Sequence, residues 1–159
     1  MGSVIFILLI LIAGILYNII PPYIKRKKTE IPFWNSILCT GLPIITIKSN
    51  DIELHMLVDS GSDMNHIDKK VLDKIEAREL EGGSNISTLG GTVTAPYYSV
   101  ELKVRGKKMQ ETCLAVDFGE ALKTTEEELG YEIHGILGMS FLESHKYVLD
   151  FYNFVMYQK

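Results

Sequence analysis

One short segment of this chain combines residue types suited to acid–base catalysis. Asp59 directly follows the apolar pair Leu57 and Val58, and Ser60 and Gly61 come immediately after it. An apolar strand before the aspartate would hold its carboxylate near the protein interior. The serine hydroxyl could brace the turn, and the glycine would let a partner group approach the backbone closely. Asp59 is therefore the first candidate for a catalytic carboxylate.

The surroundings of this segment matter, because Asp-Ser-Gly turns by themselves are common in proteins. Ile67 follows it, and a second apolar segment that ends in glycine lies far downstream at residues 136–138. Residues 52–58 alternate apolar and other side chains after a turn at residues 49–51. This alternation predicts the second strand of a hairpin, which ends at the aspartate.

Strand patterns also dominate the rest of the chain after residue 37. Residues 100–104 and 112–118 alternate on either side of Gly106 and Lys107, which predicts a hairpin. Residues 147–151 and 154–157 predict two final strands. Helical spacing is confined to a short helix or irregular turn within 67–80 and a helical turn within 124–129. The pattern predicts a small, mostly-β domain with one or two short helices.

Together these motifs resemble the retropepsin-like (retroviral-type) aspartic proteases. Residues 57–62 resemble the first signature of that family, an apolar pair followed by Asp, Thr or Ser, Gly, and Ala or Ser. Residues 135–142 resemble the second signature, an apolar pair plus glycine that packs under the catalytic loop. The resemblance covers about residues 37–158 with the elements in the same order. It implies a closed acid-protease barrel.

The resemblance also implies a role for each matching residue. In the family each chain supplies one catalytic aspartate and a second copy completes the site, and this chain has a single Asp-Ser/Thr-Gly sequence. A homodimer that acts on a peptide or protein substrate is therefore expected. The implied roles are Asp59 as the catalytic residue; Ser60, Gly61 and Ser62 as support of the catalytic loop; Leu89, Gly90, Gly91 and Thr92 as the flap over the substrate; and Ile136, Leu137 and Gly138 as the packing segment.

Two positions depart from the pattern of the family. Met139 stands where some members have an arginine, so an ion pair between that position and Asp63 is absent. Ser140 stands where many members have Asp or Asn. Both departures concern the bracing of the loops more than the chemistry.

The implied mechanism needs neither a metal nor a cofactor. Two carboxylates about 3 Å apart cannot both ionise readily, so the pair shares one proton. The ionised partner then acts as general base on a water molecule, and the protonated partner polarises the scissile carbonyl. A calcium loop at residues 59–68 lacks the required ligand and glycine positions. The four histidines lack metal-binding spacing, and no phosphate-loop motif is present.

The first 20 residues predict a transmembrane helix. Residues 2–20 carry no formal charge, and 19 helical residues would span roughly 28 Å of a hydrocarbon core about 30 Å thick. A cleaved signal peptide is the alternative, but no basic residue precedes Val4 and residues 18–22 make a poor cleavage site. The basic residues 25–28 follow the helix, which predicts a single-pass membrane protein with its soluble domain in the cytoplasm.

Composition limits the remaining possibilities. A length of 159 residues predicts one domain. Four of the 16 basic residues and one of the 20 acidic residues lie in the first 30 positions, so residues 31–159 carry a net charge of −7. Such an acidic domain is a poor nucleic-acid binder. Cys39 and Cys113 are too few for a disulfide scaffold and are expected to be reduced thiols.

The sequence thus predicts a transmembrane helix at residues 1–20, a basic, proline-containing linker at 21–36 and a retropepsin-like aspartic protease domain at 37–159. The predicted function is a membrane-anchored, homodimeric aspartic endopeptidase. One alternative is a non-catalytic dimeric module of the same fold that binds peptides without cutting them. A structural membrane tether would explain the helix but not the two motifs.

Overall fold

The computed structural model describes residues 29–88 and 91–159. The chain divides into two compact units, Met1–Glu30 and Ile31–Lys159. The predicted transmembrane helix and residues 21–28 of the predicted linker lie outside the described residues. Among the residues that are described, no helix is both long enough and apolar enough to cross a membrane.

The second unit begins earlier than the sequence predicts. Residues 31–36, which were assigned to the linker, form a strand and the start of a helix. The strand pairs with the end of the chain, Ile31 opposite Met156, and both Ile31 and Phe33 are buried. These apolar side chains extend the fold to residue 31.

Strands make up most of the described residues. They are β1 (Ile31–Pro32), β2 (Ile44–Ser49), β3 (Ile52–Val58), β4 (Asn65–Asp68), β5 (Ala77–Thr88), β6 (Gly91–Val104), β7 (Lys107–Val116), β8 (Gly135–Leu137), β9 (Tyr147–Asp150) and β10 (Val155–Gln158). The helices are α1 (Trp34–Thr40), α2 (Lys123–Leu129) and α3 (Met139–Ser144), with a 3-10 helix at Lys69–Lys74. The described residues therefore contain more helix than the one or two short helices predicted.

Six of these strands form a closed barrel. Their order is β2-β3-β8-β4-β7-β6, and a pairing of Lys48 on β2 with Lys103 on β6 closes the ring. β3 pairs with β8 in parallel, whereas β4 and β8 are antiparallel. The prediction of a mostly-β, closed barrel is confirmed.

Alternating side chains fill the barrel as the period of a strand requires. On β3 the buried residues Leu54, Met56 and Val58 face the main core, as do alternate residues 100–104 of β6. On β7 the residues that face this core are Met109, Cys113 and Ala115, which alternate with the positions 112, 114 and 116 predicted to share one face. Glu111 shares that inward face and is also buried.

A smaller apolar cluster lies apart from the main core. Its buried members are Ile44, Leu57 and Ile133, and partly buried side chains of Leu42, Leu122, Leu129, Tyr131 and Ile136 pack against it. Leu122 directly precedes α2, the helical turn predicted from the sequence, and Leu129 is the last residue of that helix. Leu57 packs in this smaller cluster and Val58 packs in the main core, so both faces of β3 are covered just before Asp59.

Two further elements complete the fold. β1, β10 and β9 form a separate antiparallel sheet in which β9 is an edge strand. β5 pairs with β6 outside the barrel ring, and its register shifts between Glu79 and Gly83, which marks a β-bulge. Gly82 within this bulge has a positive φ of 93°, a conformation that glycine adopts without a steric penalty.

Candidate active site

Asp59 lies at the point where β3 ends and is held there by backbone hydrogen bonds. Its N–H donates to the carbonyl of Leu137 at 3.0 Å, which continues the pairing of β3 with β8. Its Oδ1 accepts from the N–H of Gly61 at 2.8 Å, and its carbonyl accepts from the N–H of Ser62 at 3.2 Å. The side chain is half-buried. The predicted catalytic carboxylate is therefore fixed in a tight turn and remains accessible.

Gly138 explains why the second signature needs a glycine. A Cβ atom at this position would lie 2.6 Å from the carbonyl oxygen of Ser62 and still closer to that of Met64. These are backbone atoms that cannot move aside cheaply. The loop that carries Asp59 thus rests directly on the Gly138 backbone, as the resemblance implies.

Hydrogen bonds reinforce this contact between the two segments. The N–H of Met139 donates to the carbonyl of Ser62 at 2.7 Å, and that of Ser140 donates to the carbonyl of Asp63 at 3.1 Å. The Ser140 hydroxyl is buried and has no hydrogen-bond partner among residues 29–88 and 91–159. At residues 139 and 140 the contact with the Asp59 loop is therefore made by backbone hydrogen bonds.

The structure brings the two predicted signatures together. Ser60 and Gly61 are exposed on the loop, and Ser62 is partly buried. Ile136 pairs with Leu57, and Leu137 pairs with Val58. The predicted catalytic, loop-support and packing residues therefore form one contiguous group.

The predicted flap is a separate element. Gly91 and Thr92 pair with Thr88 and Ser87 near the end of the β5–β6 hairpin. Leu89 and Gly90 lie outside the described residues. The prediction that this hairpin covers a substrate stays a prediction.

One histidine lies beside the Asp59 loop, although its spacing in the sequence suggested no function. Nδ1 of His66 lies 3.3 Å from the Ser62 hydroxyl, which donates to the carbonyl of Met64 at 2.8 Å. Burial lowers the pKa of His66 below its usual 6.5, and the negative charge of Asp59 partly offsets this effect. His66 is therefore neutral at neutral pH, close to the candidate carboxylate.

A buried polar network also joins the site, and the sequence analysis missed it. Asn65 is 1% exposed; its Oδ1 accepts from the N–H of Gly138 at 3.0 Å. Its Nδ2 donates to Oε2 of Glu111 at 3.2 Å. Oε1 of Glu111 lies 2.5 Å from Nε2 of His145. The sequence signal for this network is Glu111, an acid among the inward-facing residues of β7. That signal can be recognised only if the inward face of β7 is assigned correctly.

Two histidines meet at the point where β3 and β8 begin to pair. The N–H of His55 donates to Nδ1 of His134 at 3.0 Å, and the N–H of His134 donates to the carbonyl of His55 at 2.8 Å. Burial lowers the pKa of His55 and that of His134, and in His134 the neighbouring Glu132 partly offsets it. Nδ1 of His134 must be unprotonated to accept this bond.

The described residues contain no group of three or more His, Cys, Asp or Glu side chains arranged to hold a metal ion. What the geometry offers is one accessible carboxylate in a rigid loop, with a neutral histidine nearby. A single carboxylate of this kind can accept or donate a proton, but it needs a second group to do both at once.

Comparison with known proteins adds the family context. A family model described as aspartyl protease matches residues 45–141, more than half of the chain. Among solved structures, the chain is similar to the EIAV protease complexed with the inhibitor HBY-793, with 22% sequence identity and a TM-score of 0.49. That similarity covers 65% of this chain and 86% of that protease. None of the curated proteins compared with the chain matches it.

Proposed function

This chain belongs to the aspartyl protease family, and on that premise we propose that it is an aspartic endopeptidase that acts as a homodimer on peptide or protein substrates. The observation that carries the proposal is the position of Asp59. It lies in a turn hydrogen-bonded to Leu137 and packed on Gly138, at the meeting point of the two signatures.

The homodimer follows from counting carboxylates. The sequence contains one Asp-Ser-Gly, whereas the chemistry of aspartic proteases requires one ionised and one protonated carboxylate side by side. A second copy of the chain would supply the missing Asp59. Ser60 is exposed, which suits a role at the contact between the two loops.

In the proposed reaction the ionised Asp59 removes a proton from a water molecule whose oxygen attacks the scissile carbonyl carbon. The protonated Asp59 of the second copy donates its proton to the carbonyl oxygen. Collapse of the tetrahedral intermediate breaks the C–N bond: the leaving nitrogen takes up the proton held by the first Asp59, and a hydroxyl of the intermediate returns a proton to the Asp59 of the second copy, which restores the singly protonated dyad. Two carboxylates about 3 Å apart share one proton, so the apparent pKa values belong to the pair.

Membrane anchoring is the second part of the proposal. Its support is the uncharged stretch at residues 2–20 and the basic cluster at residues 25–28, which favours a cytoplasmic position for the protease domain. Confinement to a bilayer would raise the effective concentration of the chains and favour the dimer.

The test of activity uses the full chain, solubilised in detergent, and a random peptide library. The Asp59→Asn variant keeps the size of the side chain but cannot act as a base, so cleavage should fall by roughly 10³-fold or more. Near wild-type turnover in this variant would sink the aspartic-protease assignment. If the wild type binds peptides as a dimer and cuts none, the non-catalytic binding module is the correct alternative.

Topology can be tested by thiol labelling, and the structure decides which cysteine reports it. Cys39 is exposed, whereas Cys113 is buried and burial raises its pKa to about 12. An impermeant maleimide should label Cys39 only after cells are opened, and Cys39→Ser should lose the signal. Labelling in intact cells would place the domain on the outside.

A further inference from the structure

One buried acid lies outside the Asp59 loop and is nevertheless connected to it. Glu111 on β7 is 7% exposed, and each of its carboxylate oxygens has a partner, Nδ2 of Asn65 at 3.2 Å and Nε2 of His145 at 2.5 Å. A buried carboxylate costs free energy unless it is paired and hydrogen-bonded. Glu111 is thus a buried acid held by two side chains, one of which is Asn65.

Asn65 has one orientation that satisfies its neighbours. Its Oδ1 accepts the N–H of Gly138, and its Nδ2 points to Glu111 and, at 3.4 Å, to the carbonyl of Thr112. A reversed amide would place NH₂ against the N–H of Gly138 and oxygen against a carboxylate. The acceptor supplied by Glu111 thus keeps the acceptor of Asn65 turned toward Gly138.

This asparagine provides a side-chain link between the Asp59 loop and the segment beneath it. Gly138, Met139 and Ser140 each donate a backbone N–H to the stretch at residues 62–65. For Met139 and Ser140 the acceptor is a backbone carbonyl, whereas Gly138 uses the Asn65 side chain. Of these three hydrogen bonds, only the one from Gly138 ends on a side chain, so only its acceptor can be oriented by other core residues.

His145 completes the chain of contacts at the far end. It lies at the C-terminus of α3, whose first residue follows Gly138, and its ring packs against Phe141 with centroids 5.0 Å apart. The imidazole and the asparagine amide hold the Glu111 carboxylate from two sides. Both ends of the short segment 138–145 are thereby tied to the same carboxylate.

We propose that Glu111 is a positioning residue of the active site, which acts through Asn65 to hold Gly138 and hence the loop that presents Asp59. The proposal rests on the proposed peptidase function, because its purpose is to keep Asp59 aligned with its counterpart in a second copy. Small misplacements of a catalytic group can lower turnover by about 100-fold.

The kinetic test compares Glu111→Leu, which removes the acceptor, with Glu111→Gln, which keeps an acceptor oxygen for Asn65. Glu111→Leu should lower kcat roughly 10- to 100-fold with KM changed less than about threefold. Glu111→Gln should recover most of that kcat. Asp68→Asn is the matched control, because Asp68 is also a buried carboxylate but accepts from the N–H of Lys70, away from the loop.

A second variant and a second measurement separate positioning from general destabilisation. Asn65→Ala should match the kcat loss of Glu111→Leu, and the double variant should lose no more than either alone, since both break the same link. If Glu111→Leu does not fold, Asn65→Ala carries the test. Hydrogen exchange of the Gly138 amide should accelerate in both single variants, with exchange in the β6–β7 pair unchanged.

Three outcomes would overturn the proposal: unchanged kcat in a folded Glu111→Leu protein, equal losses in Glu111→Leu and Asp68→Asn, or no recovery in Glu111→Gln. If the wild type cleaves no peptide, the proposed function fails instead. In that case the exchange rate of the Gly138 amide in Glu111→Leu and in the wild type tests the link between Glu111 and Gly138 without any activity measurement.

Discussion

The Asp59 loop and the β5–β6 hairpin are the two glycine-containing regions expected to meet a substrate, and the structure holds them in opposite ways. The Asp59 loop rests on Gly138, where a Cβ would overlap the backbone of Ser62 and Met64, and the N–H of Gly138 makes a buried hydrogen bond to Asn65. The hairpin joins β5, which lies outside the barrel ring, to the barrel strand β6, and its register is irregular between Glu79 and Gly83.

The glycines accordingly do different things in the two regions. Gly138 has an ordinary backbone conformation, and it is a glycine because two backbone segments approach too closely for a side chain. Gly82 has space around it but a positive φ, so it is a glycine because the chain must bend there. The close backbone contact at Gly138 holds the Asp59 loop in place, whereas the conformational freedom of Gly82 suits a hairpin that moves.

The largest expected effect is that of Gly138→Ala. The added methyl group meets backbone carbonyls, so the free energy of unfolding should fall by about 3 kcal/mol and peptide cleavage by roughly 100-fold. Urea unfolding and cleavage kinetics measure the two losses. Gly130→Ala is the control, because Gly130 has a φ of +75° and open space around it; it should cost about 1 kcal/mol and spare activity. Equal effects of Gly138→Ala and Gly130→Ala would contradict the view that Gly138 is required for close backbone packing and Gly130 only for its backbone conformation.

Gly83→Ala should have an intermediate effect. A Cβ at this position would lie 2.5 Å from the carbonyl oxygen of Ala95 on β6, yet β5 can adjust because it lies outside the barrel ring. We expect a stability loss of about 1 kcal/mol and a fall in kcat/KM of about tenfold. A stability loss as large as that of Gly138→Ala would mean that the hairpin is as rigid as the loop.

Replacing both Gly90 and Gly91 by alanine tests the predicted flap at its tip. If the tip opens and closes over the substrate, kcat/KM should fall severalfold while the melting temperature stays within about 2 °C of the wild type. Unchanged kinetics in a folded protein would shift the cover to another segment, with residues 119–132 as the first candidate.

The smallest effect concerns pH and the histidines at the start of the β3–β8 pairing. Because burial lowers the pKa of His134 below 6.5, the unfolded chain binds this proton first, and stability falls as the pH drops below 6.5. His134→Asn keeps an acceptor near the Nδ1 position but does not titrate. It should therefore reduce, but not abolish, the loss of stability as the pH falls below 6.5, since burial also lowers the pKa of His55 and of His66. Denaturant unfolding at several pH values measures this slope, and a steeper slope in the variant would contradict the assignment.

Several elements of this fold could be predicted because their signals are local. The β6–β7 hairpin, α2 and the two final strands follow from alternation, helical spacing and turn residues. The helix α3 was missed because its six residues, Met139–Ser144, are too few to show helical periodicity and follow an apolar strand. The bulge at residues 79–83 was also missed, since register depends on the partner strand.

The candidate site divides in the same way. Asp59 and Gly138 could be found because each lies in a short motif, and the two motifs occur together in the order that the family has. Glu111, Asn65 and His145 are far apart in the chain, and their types suggest nothing until the barrel places β4, β7 and α3 side by side. Their burial in turn depends on which face of β7 turns inward.

By itself the sequence determined that one aspartate ends an apolar strand, that a glycine segment lies downstream to receive it, and that strands dominate the domain. These features depend on the period of a strand and on residue types within a few positions. Only the tertiary structure decided that β8 lies between β3 and β4, so that Leu137 accepts the hydrogen bond of Asp59. The same arrangement placed Glu111 in the core, because burial and pairing are set by residues distant in sequence that the closed barrel brings into contact.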